Sequence, residues 1–242
     1  MKKVLKFVMQ AKYSMAGILL FAFLFGACRK DNLPNNRTPA AGVMAFNLST
    51  DKDAVGIFLS GNNLFYLPLG YTSFTGKYLP VFTGNREVKS YNNNSNNVLS
   101  INNQIFKDSA YYSIFVVGRN GAYRNVIVND SLNNLLITPG QAFVRYINAI
   151  PDSTISPLVT ISIGGTSVIS NNTAYGNITP FTKVNAGNIT IAVNNGDSVA
   201  VNRTISVEQS KAYTILLTGI PNAVDTTKSI KIKFITNGTI TN

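Results

Sequence analysis

Histidine and tryptophan are absent from the 242 residues, and cysteine occurs once, at Cys28. Without histidine the chain lacks the commonest general base, any Ser-His-Asp triad and all imidazole metal ligands. Without a second cysteine it forms no internal disulfide, so its stability must come from packing. Without tryptophan it lacks the ring that sugar-binding surfaces often present. These absences predict a protein that is not an enzyme and that needs no cofactor.

Other catalytic and metal-binding patterns are also missing. The chain has no Gly-x-Ser-x-Gly elbow and no glycine loop that would cradle a phosphate. Ser210 and Lys211 are neighbours, and neighbours on a strand point to opposite faces, so they do not predict a Ser-Lys dyad. Asp51 and Asp53 are a weak calcium candidate because hard cations take carboxylate oxygens, although the rest of a calcium loop is missing. A solvated loop is the alternative, and otherwise no metal site is predicted.

The charge is strongly positive, with a formal net charge of +11. Lys2, Lys3, Lys6 and Lys12 precede an apolar run, and removal of residues 1–27 leaves a net charge of about +7. The remaining basic residues are scattered singly, without a run that would follow a phosphate backbone. A solvated surface is therefore predicted, and no nucleic-acid partner.

The first 27 residues have the pattern of a signal peptide. The apolar run from Met15 to Phe25 would cover roughly 16 Å as a helix, well short of the ~30 Å hydrocarbon core of a membrane. A basic start, a short apolar run and the small residues Gly26 and Ala27 favour a cleaved export signal over a membrane-spanning helix.

Leu24-Phe-Gly-Ala-Cys28 resembles the bacterial lipobox, with Phe25 where an aliphatic residue is usual. The resemblance implies that Cys28 is lipidated and becomes the new N-terminus, which would anchor the chain to a membrane. Arg29-Lys30-Asp31 resembles the short charged tag that sends some lipoproteins to the outer face of the outer membrane. The expected location is therefore the outer membrane, on its periplasmic or its surface-exposed face, with the surface favoured. An ordinary secretory signal with a chance cysteine is the alternative.

After a flexible tether at 28–41, the chain repeats itself at a nearly constant spacing. The matching stretches are Val43–Asn47 with Val144–Asn148, Tyr78–Gly84 with Phe181–Gly187, and Tyr112–Gly118 with Tyr213–Gly219. The repeat predicts two domains, one at 42–138 and one at 141–242, joined through a Pro-Gly turn at Pro139. So short a connection should hold the two domains in a preferred orientation.

Each repeat has the pattern of a series of short strands. Ile189–Val193 and Val199–Val207 alternate around Asn194-Asn-Gly-Asp197, which is a strong hairpin signal. Ala212–Thr218 is nearly continuous in apolar and β-branched residues, as a central strand would be. The sequence therefore predicts an all-β protein with two tandem immunoglobulin-like β-sandwiches. Tyr112 and Tyr213 each open a late strand, either as tyrosine-corner residues or as ordinary core tyrosines.

Val144–Asp152, Phe181–Gly187 and Ala212–Gly219 carry a resemblance to a known family. The chain resembles the surface lipoproteins of Gram-negative bacteria that contain the domain of unknown function 4397 (DUF4397), typically as tandem immunoglobulin-like domains. The resemblance is best over residues 141–220 and fainter over 42–128. It implies a fold and a location but no catalytic residue.

Two function classes remain open. The first is a non-enzymatic surface module for binding and adhesion or for the capture of an extracellular glycan. Phe65, Tyr66 and Tyr71 lie in a turn-rich segment that could present rings to a ligand. Core or inter-domain packing is the alternative for these rings. The second class is a structural spacer or assembly subunit whose partner is another envelope protein.

Five of the seven aspartates after the tether precede Ser or Thr. These pairs resemble the Asp-Ser/Thr-aliphatic motif at which some bacteria that export such lipoproteins attach O-linked glycans. The candidate acceptors are Ser109, Ser131, Ser153, Ser198 and Thr226. Turn formation is the alternative, because Asp and Ser side chains both bond to nearby backbone groups.

Overall fold

The computed structural model describes residues 37–151, 156–196 and 198–241. Five predictions fall outside these ranges, namely the signal peptide 1–27, Cys28, the Arg29-Lys30-Asp31 tag, the tether before residue 37, and Ser153. Pro39–Asn242 form one compact unit. None of the helices in the described ranges has the length and apolar character that a membrane crossing requires.

The first repeat folds into two four-stranded sheets around a shared core. Its strands are β1 (Ala40–Ser49), β2 (Val55–Leu59), β3 (Asn62–Asn63), β4 (Leu79–Phe82), β5 (Gly84–Asn92), β6 (Val98–Phe106), β7 (Tyr111–Arg119) and β8 (Ala122–Asn129). One sheet has the order β4-β1-β7-β8 and is called the inner sheet below; the other, β3-β2-β5-β6, is called the outer sheet. A 3-10 turn at Leu132–Asn134 follows β8.

The second repeat has the same architecture. Its strands are β9 (Gln141–Asn148), β10 (Leu158–Ile163), β11 (Thr166–Asn172), β12 (Thr182–Asn185), β13 (Gly187–Asn194), β14 (Ala200–Val207), β15 (Lys211–Thr218) and β16 (Lys231–Thr239), with a 3-10 turn at Thr226–Lys228. Its inner sheet has the order β12-β9-β15-β16 and its outer sheet the order β11-β10-β13-β14.

The prediction of two tandem immunoglobulin-like sandwiches is confirmed. In each repeat the first strand runs parallel to the seventh, and Val43 stands opposite Tyr112 as Val144 stands opposite Tyr213. The sequence alignment of the repeats is therefore also their structural alignment. The domain bounds 42–138 and 141–242 stay predictions.

Tyr112 and Tyr213 are the tyrosine-corner residues of the two sandwiches. The Tyr112 hydroxyl accepts a hydrogen bond from Lys107 N (3.1 Å) and donates one to Ile105 O (3.2 Å). The Tyr213 hydroxyl accepts one from Glu208 N (3.0 Å). Bonds that return to the backbone a few residues upstream define this feature. Of the two alternatives for these tyrosines, the corner is correct.

The inner sheets of the two sandwiches pack face to face. Along β1, Val43 and Ala45 point into the core of the first sandwich, whereas Met44, Phe46 and Leu48 join a second apolar cluster. That cluster also contains Ile147, Ala149, Leu216 and Ile235 of the second sandwich. Alternate residues on a strand face opposite ways, so β1, β7, β9 and β15 are buried on both faces. Their nearly continuous apolar sequences follow from this packing.

Candidate functional site

A polar cluster lies inside the otherwise apolar contact between the inner sheets, and its centre is Arg145. Arg145 is 1% exposed because β9 turns it toward the first sandwich rather than toward solvent. Its guanidinium donates to Thr214 Oγ1 (2.9 Å), Asp130 Oδ1 (2.8 Å) and Ser113 Oγ (3.0 Å). Phe181 covers it, with the ring centroid 4.3 Å from Cζ. The buried charge therefore has three hydrogen-bond acceptors, one of them a carboxylate, and a ring face as neighbours.

The hydrogen bonds around Arg145 close into a ring that crosses between the sandwiches. Thr214 Oγ1 donates to Asn237 Oδ1 (2.6 Å), and Asn237 Nδ2 donates to the Tyr78 hydroxyl (3.1 Å). Tyr78 in turn donates to Asp130, the partner of Arg145. Burial, together with the negative charge of Asp130, raises the pKa of Tyr78 above its ordinary value. Clefts of about 250 and 300 Å³ flank this ring.

These buried groups hydrogen-bond to one another across the contact, so the cluster is suited to fixing the two sandwiches together. Further bonds across the contact join Lys233 Nζ to Thr72 Oγ1 (2.6 Å) and Arg124 to the Tyr175 carbonyl. A buried polar network whose groups are hydrogen-bonded to one another favours one arrangement of the two sandwiches. Any other arrangement would leave a buried charge or donor without a partner.

A surface of a different kind covers the solvent side of the first outer sheet. Phe58 and Tyr91 stack there with ring centroids 4.6 Å apart and planes 20° apart. Lys89 Nζ lies 5.1 Å from the Phe58 ring centroid. The Tyr91 ring lies directly over Gly56, where a Cβ would come within 2.3 Å of Tyr91 Cζ. Glycine at this position therefore lets the ring lie against the sheet. Phe58, Tyr91 and Lys89 are called the aromatic shelf below.

The aromatic shelf adjoins an open groove of about 330 Å³ between the edge strands β3 and β4. Asn63 lines this groove, and its Oδ1 accepts a hydrogen bond from the Tyr91 hydroxyl (3.1 Å). Arg86 also lines it and lies 6.0 Å from the centroid of the Phe82 ring, which is 67% exposed. Val98, Ile101 and Ile105 of β6 add exposed apolar area to the same sandwich.

The second sandwich has no such shelf at the equivalent register positions. There Thr160 pairs with Ala192 and Ser162 pairs with Thr190, whereas in the first sandwich Gly56 pairs with Tyr91 and Phe58 with Lys89. The backbone is repeated but the surface chemistry is not. Sequence analysis missed the shelf, although the unequal side chains at matched positions of the repeat would have pointed to it.

The aromatics singled out from the sequence lie in three different settings. Tyr66 is 98% exposed at a loop tip, beside Leu67 at 82%. Phe65 packs against the core of the first sandwich. Tyr71 is half-buried at the contact between the sandwiches, with Lys228 Nζ 4.6 Å from its ring centroid. The structure does not bring the three together on one surface, and a ligand-facing role for them stays a prediction.

Asp51 and Asp53 face different partners. Asp51 Oδ2 accepts from Tyr123 OH (2.7 Å) and Asn120 N (3.0 Å), while Asp53 Oδ1 pairs with Lys228 Nζ (3.0 Å). Burial raises the pKa of the Asp51 carboxyl, but those hydrogen bonds and Lys52 bring it below its ordinary value. Across residues 37–151, 156–196 and 198–241, no three metal-ligand side chains come together.

Three of the candidate glycan acceptors, Ser109, Ser131 and Thr226, are exposed, and Ser198 is half-buried. Asp225 has the turn role proposed as the alternative, because its Oδ1 accepts from Thr227 N (2.8 Å). Asp130 does not, because its carboxylate is the partner of Arg145. Exposure is a condition for glycosylation and does not test it, so the five sites stay predictions.

Two stretches of the chain, residues 41–155 and 142–239, match a family described as "Domain of unknown function (DUF4397)". Together they include both sandwiches. A comparison with curated proteins finds no match.

Three solved structures are distantly similar to this chain. A family 26 carbohydrate-binding module of Eubacterium rectale, solved with maltoheptaose, is 12% identical at a TM-score of 0.24, covering 80% of this chain and 96% of that chain. A proposed cell adhesion protein of Bacteroides uniformis is 9% identical at a TM-score of 0.27, covering 84% of this chain and 99% of that chain. A proposed cell adhesion protein of Bacteroides eggerthii is 10% identical at a TM-score of 0.24, covering 83% of this chain and 95% of that chain. TM-scores this low do not indicate a shared function.

Proposed function

We propose a binding function for this chain, which belongs to the family defined by the domain of unknown function DUF4397. It is a non-enzymatic lipoprotein of the cell envelope that displays two sandwiches in one compact unit and captures a glycan. The aromatic shelf on the outer sheet of the first sandwich is the binding surface. The single observation that supports this most strongly is the stacked pair of Phe58 and Tyr91 on a solvent-facing sheet.

The chemistry of the shelf suits a sugar. One face of a pyranose ring presents C–H groups, which pack against the electron-rich face of an aromatic ring. The sugar hydroxyls then need donors and acceptors at the rim. Asn62 and Asn63 supply exposed amides beside the shelf, and Lys89 supplies an ammonium group. A few polar groups around an apolar surface are typical of ligand sites.

Export and anchoring complete the proposal. The lipobox-like residues before Cys28 support lipidation at that sulfur, and Arg29-Lys30-Asp31 supports display on the outer face of the outer membrane. A lipid-anchored binding module keeps its ligand at the cell surface. Rigid packing of the sandwiches then fixes the direction in which the shelf points.

A second candidate is a spacer or assembly subunit that binds another envelope protein. The observation in its favour is the exposed apolar strand β6, where Val98, Ile101 and Ile105 are each more than half exposed. Exposed apolar groups on an edge strand mark a docking surface for protein.

Glycan binding predicts a clear result for Tyr91→Ala on an array of bacterial, plant and host glycans. Loss of the ring should weaken binding of the retained glycans about tenfold or more, which corresponds to ~1.4 kcal/mol. Gly56→Ala should have a similar effect, because its methyl group displaces the ring without removing it.

Tyr123→Ala is the matched control, since Lys52 Nζ lies 5.1 Å from the Tyr123 ring centroid on a different strand, β8. This variant should bind as the wild type does. A blank array for the wild-type protein, together with capture of one envelope protein that Ile101→Lys abolishes, would favour the assembly subunit instead.

A further inference from the structure

We propose that the ligand is an acidic saccharide whose carboxylate enters the groove between β3 and β4 and binds Arg86. This inference deepens the proposed glycan function and rests on it. The shelf would hold a sugar ring, and the groove beside it would recognise the charged substituent.

The groove has an apolar floor and a polar rim. Leu59, Leu64 and Val81 line it from within, where the two sheets of the first sandwich separate at their edges. Its volume of about 330 Å³ is at the lower end of the range of small-molecule sites. Asn63 lines the groove and also bonds to Tyr91 of the shelf, so this residue links the groove to the shelf.

Arg86 is held in place on one side only. Its Nε donates to Phe82 O (3.4 Å) and its Nη2 to Thr83 O (3.2 Å), so the β4–β5 turn orients the guanidinium. Within residues 37–151, 156–196 and 198–241, its Nη1 makes no hydrogen bond and no carboxylate pairs with it. An oriented guanidinium with unused donors binds a carboxylate through two parallel hydrogen bonds.

The amides at the rim also favour an acceptor-rich ligand. The Asn63 Oδ1 already accepts a hydrogen bond from the Tyr91 hydroxyl, and the two Nδ2 hydrogens remain as donors to a ligand. None of the described residues that line the groove is acidic. Lys89 adds a positive charge at the shelf, and Glu87 is the one acid on the same strand. Charge and donor chemistry therefore both select an anion.

The test is calorimetric titration of the whole mature protein with two acidic probes, pentagalacturonate and sialyllactose, and with the methyl ester of each. At least one acid should bind about tenfold more tightly than its ester, and added salt should reduce the difference. Arg86→Gln should remove the preference, and Arg86→Lys should restore part of it.

Arg203→Gln is the matched control. Arg203 likewise donates to a backbone carbonyl, Ile232 O (2.7 Å), and lies 5.2 Å from the Phe234 ring centroid, but on the second sandwich. This variant should keep the full preference for acid, and the melting temperatures of all variants establish that they fold.

Equal affinity for acid and ester, or an unchanged preference in Arg86→Gln, overturns the inference. If neutral glycans still bind and Tyr91→Ala still weakens them, the proposed function stands and only the acidic ligand is wrong. If no saccharide binds at all, both the acidic ligand and the proposed glycan-binding function are wrong. Binding of peptides that ends when their C-terminal carboxylate is amidated would assign the groove to protein rather than to sugar.

Discussion

Asp130→Ala should lower the free energy of unfolding by about 3–5 kcal/mol, the largest effect expected of any single charge in the described residues. The substitution leaves the Arg145 guanidinium buried without its anion, at 2% side-chain exposure. It also removes the acceptor of Ser113 Oγ (2.7 Å) and of Tyr78. Urea unfolding followed by tyrosine fluorescence and far-ultraviolet circular dichroism measures the loss.

The double variant Asp130→Ala with Arg145→Met separates charge burial from packing. Met44 already occupies the equivalent position of the first repeat and is 1% exposed, so methionine suits this face of the inner sheet. Because it removes the stranded charge, the double variant should be more stable than Asp130→Ala alone. Asp225→Ala, which removes an exposed N-cap, is the control and should cost only about 1 kcal/mol. A loss as small as that of the control would mean that the buried ion pair does not stabilise the contact between the sandwiches.

Cys28→Ser should release the protein from membranes almost completely or leave it as an unprocessed precursor. The physical reason is that several acyl chains on one residue bind a bilayer stably, with each buried CH2 contributing ~0.8 kcal/mol, whereas a serine there is not lipidated. Fractionation of the native host, together with intact-mass spectrometry of the membrane-bound form, measures the effect.

The control for this experiment is Arg29→Ala with Lys30→Ala. It should leave membrane retention intact and reduce only the fraction reached by protease added to whole cells. Membrane retention and mature mass that are unchanged in Cys28→Ser would contradict the lipoprotein proposal. Release into the medium of a soluble wild-type protein would favour the ordinary secretory signal.

Much of the fold could be predicted because the sequence pattern of the domain occurs twice in the chain. Val43–Asn47 and Val144–Asn148 match in sequence, and both form a first strand that runs parallel to the strand opened by a corner tyrosine. Alternation and hairpin signals are local in the sequence and identify the single strands, and the repeat spacing identifies the two domains. The tyrosine corners could be proposed for the same reason, and their hydrogen bonds decide the question.

The contact between the sandwiches could not be predicted, because a strand buried on both faces has the same sequence pattern whatever covers its second face. The sequence of Ala212–Thr218 predicts a strand central to one sandwich, yet Leu216 packs against the other sandwich. Arg145 interrupts a buried strand, and its partner Asp130 precedes a serine as turn aspartates do. Only the three-dimensional arrangement brings the two charges together, so sequence reasoning assigned neither to a core.

The candidate site was missed for a related reason. Sequence reasoning singled out Phe65, Tyr66 and Tyr71 because they are close together in the chain and lie among turns. The aromatic shelf instead joins Phe58 of β2 to Tyr91 of β5, across a pairing in which Gly56 stands opposite Tyr91. Register, rather than proximity in sequence, places rings side by side on a sheet.

The central claim is that the outer sheet of the first sandwich binds a glycan. The most direct measurement is an NMR titration of the isotope-labelled mature protein with the strongest ligand from the array. We expect the amide shifts that move to cluster on β2, β3 and β5 around Gly56, Asn63 and Tyr91, with the second sandwich unchanged. Shifts confined to the second sandwich or to the contact around Arg145, with the shelf unmoved at saturation, would contradict the claim.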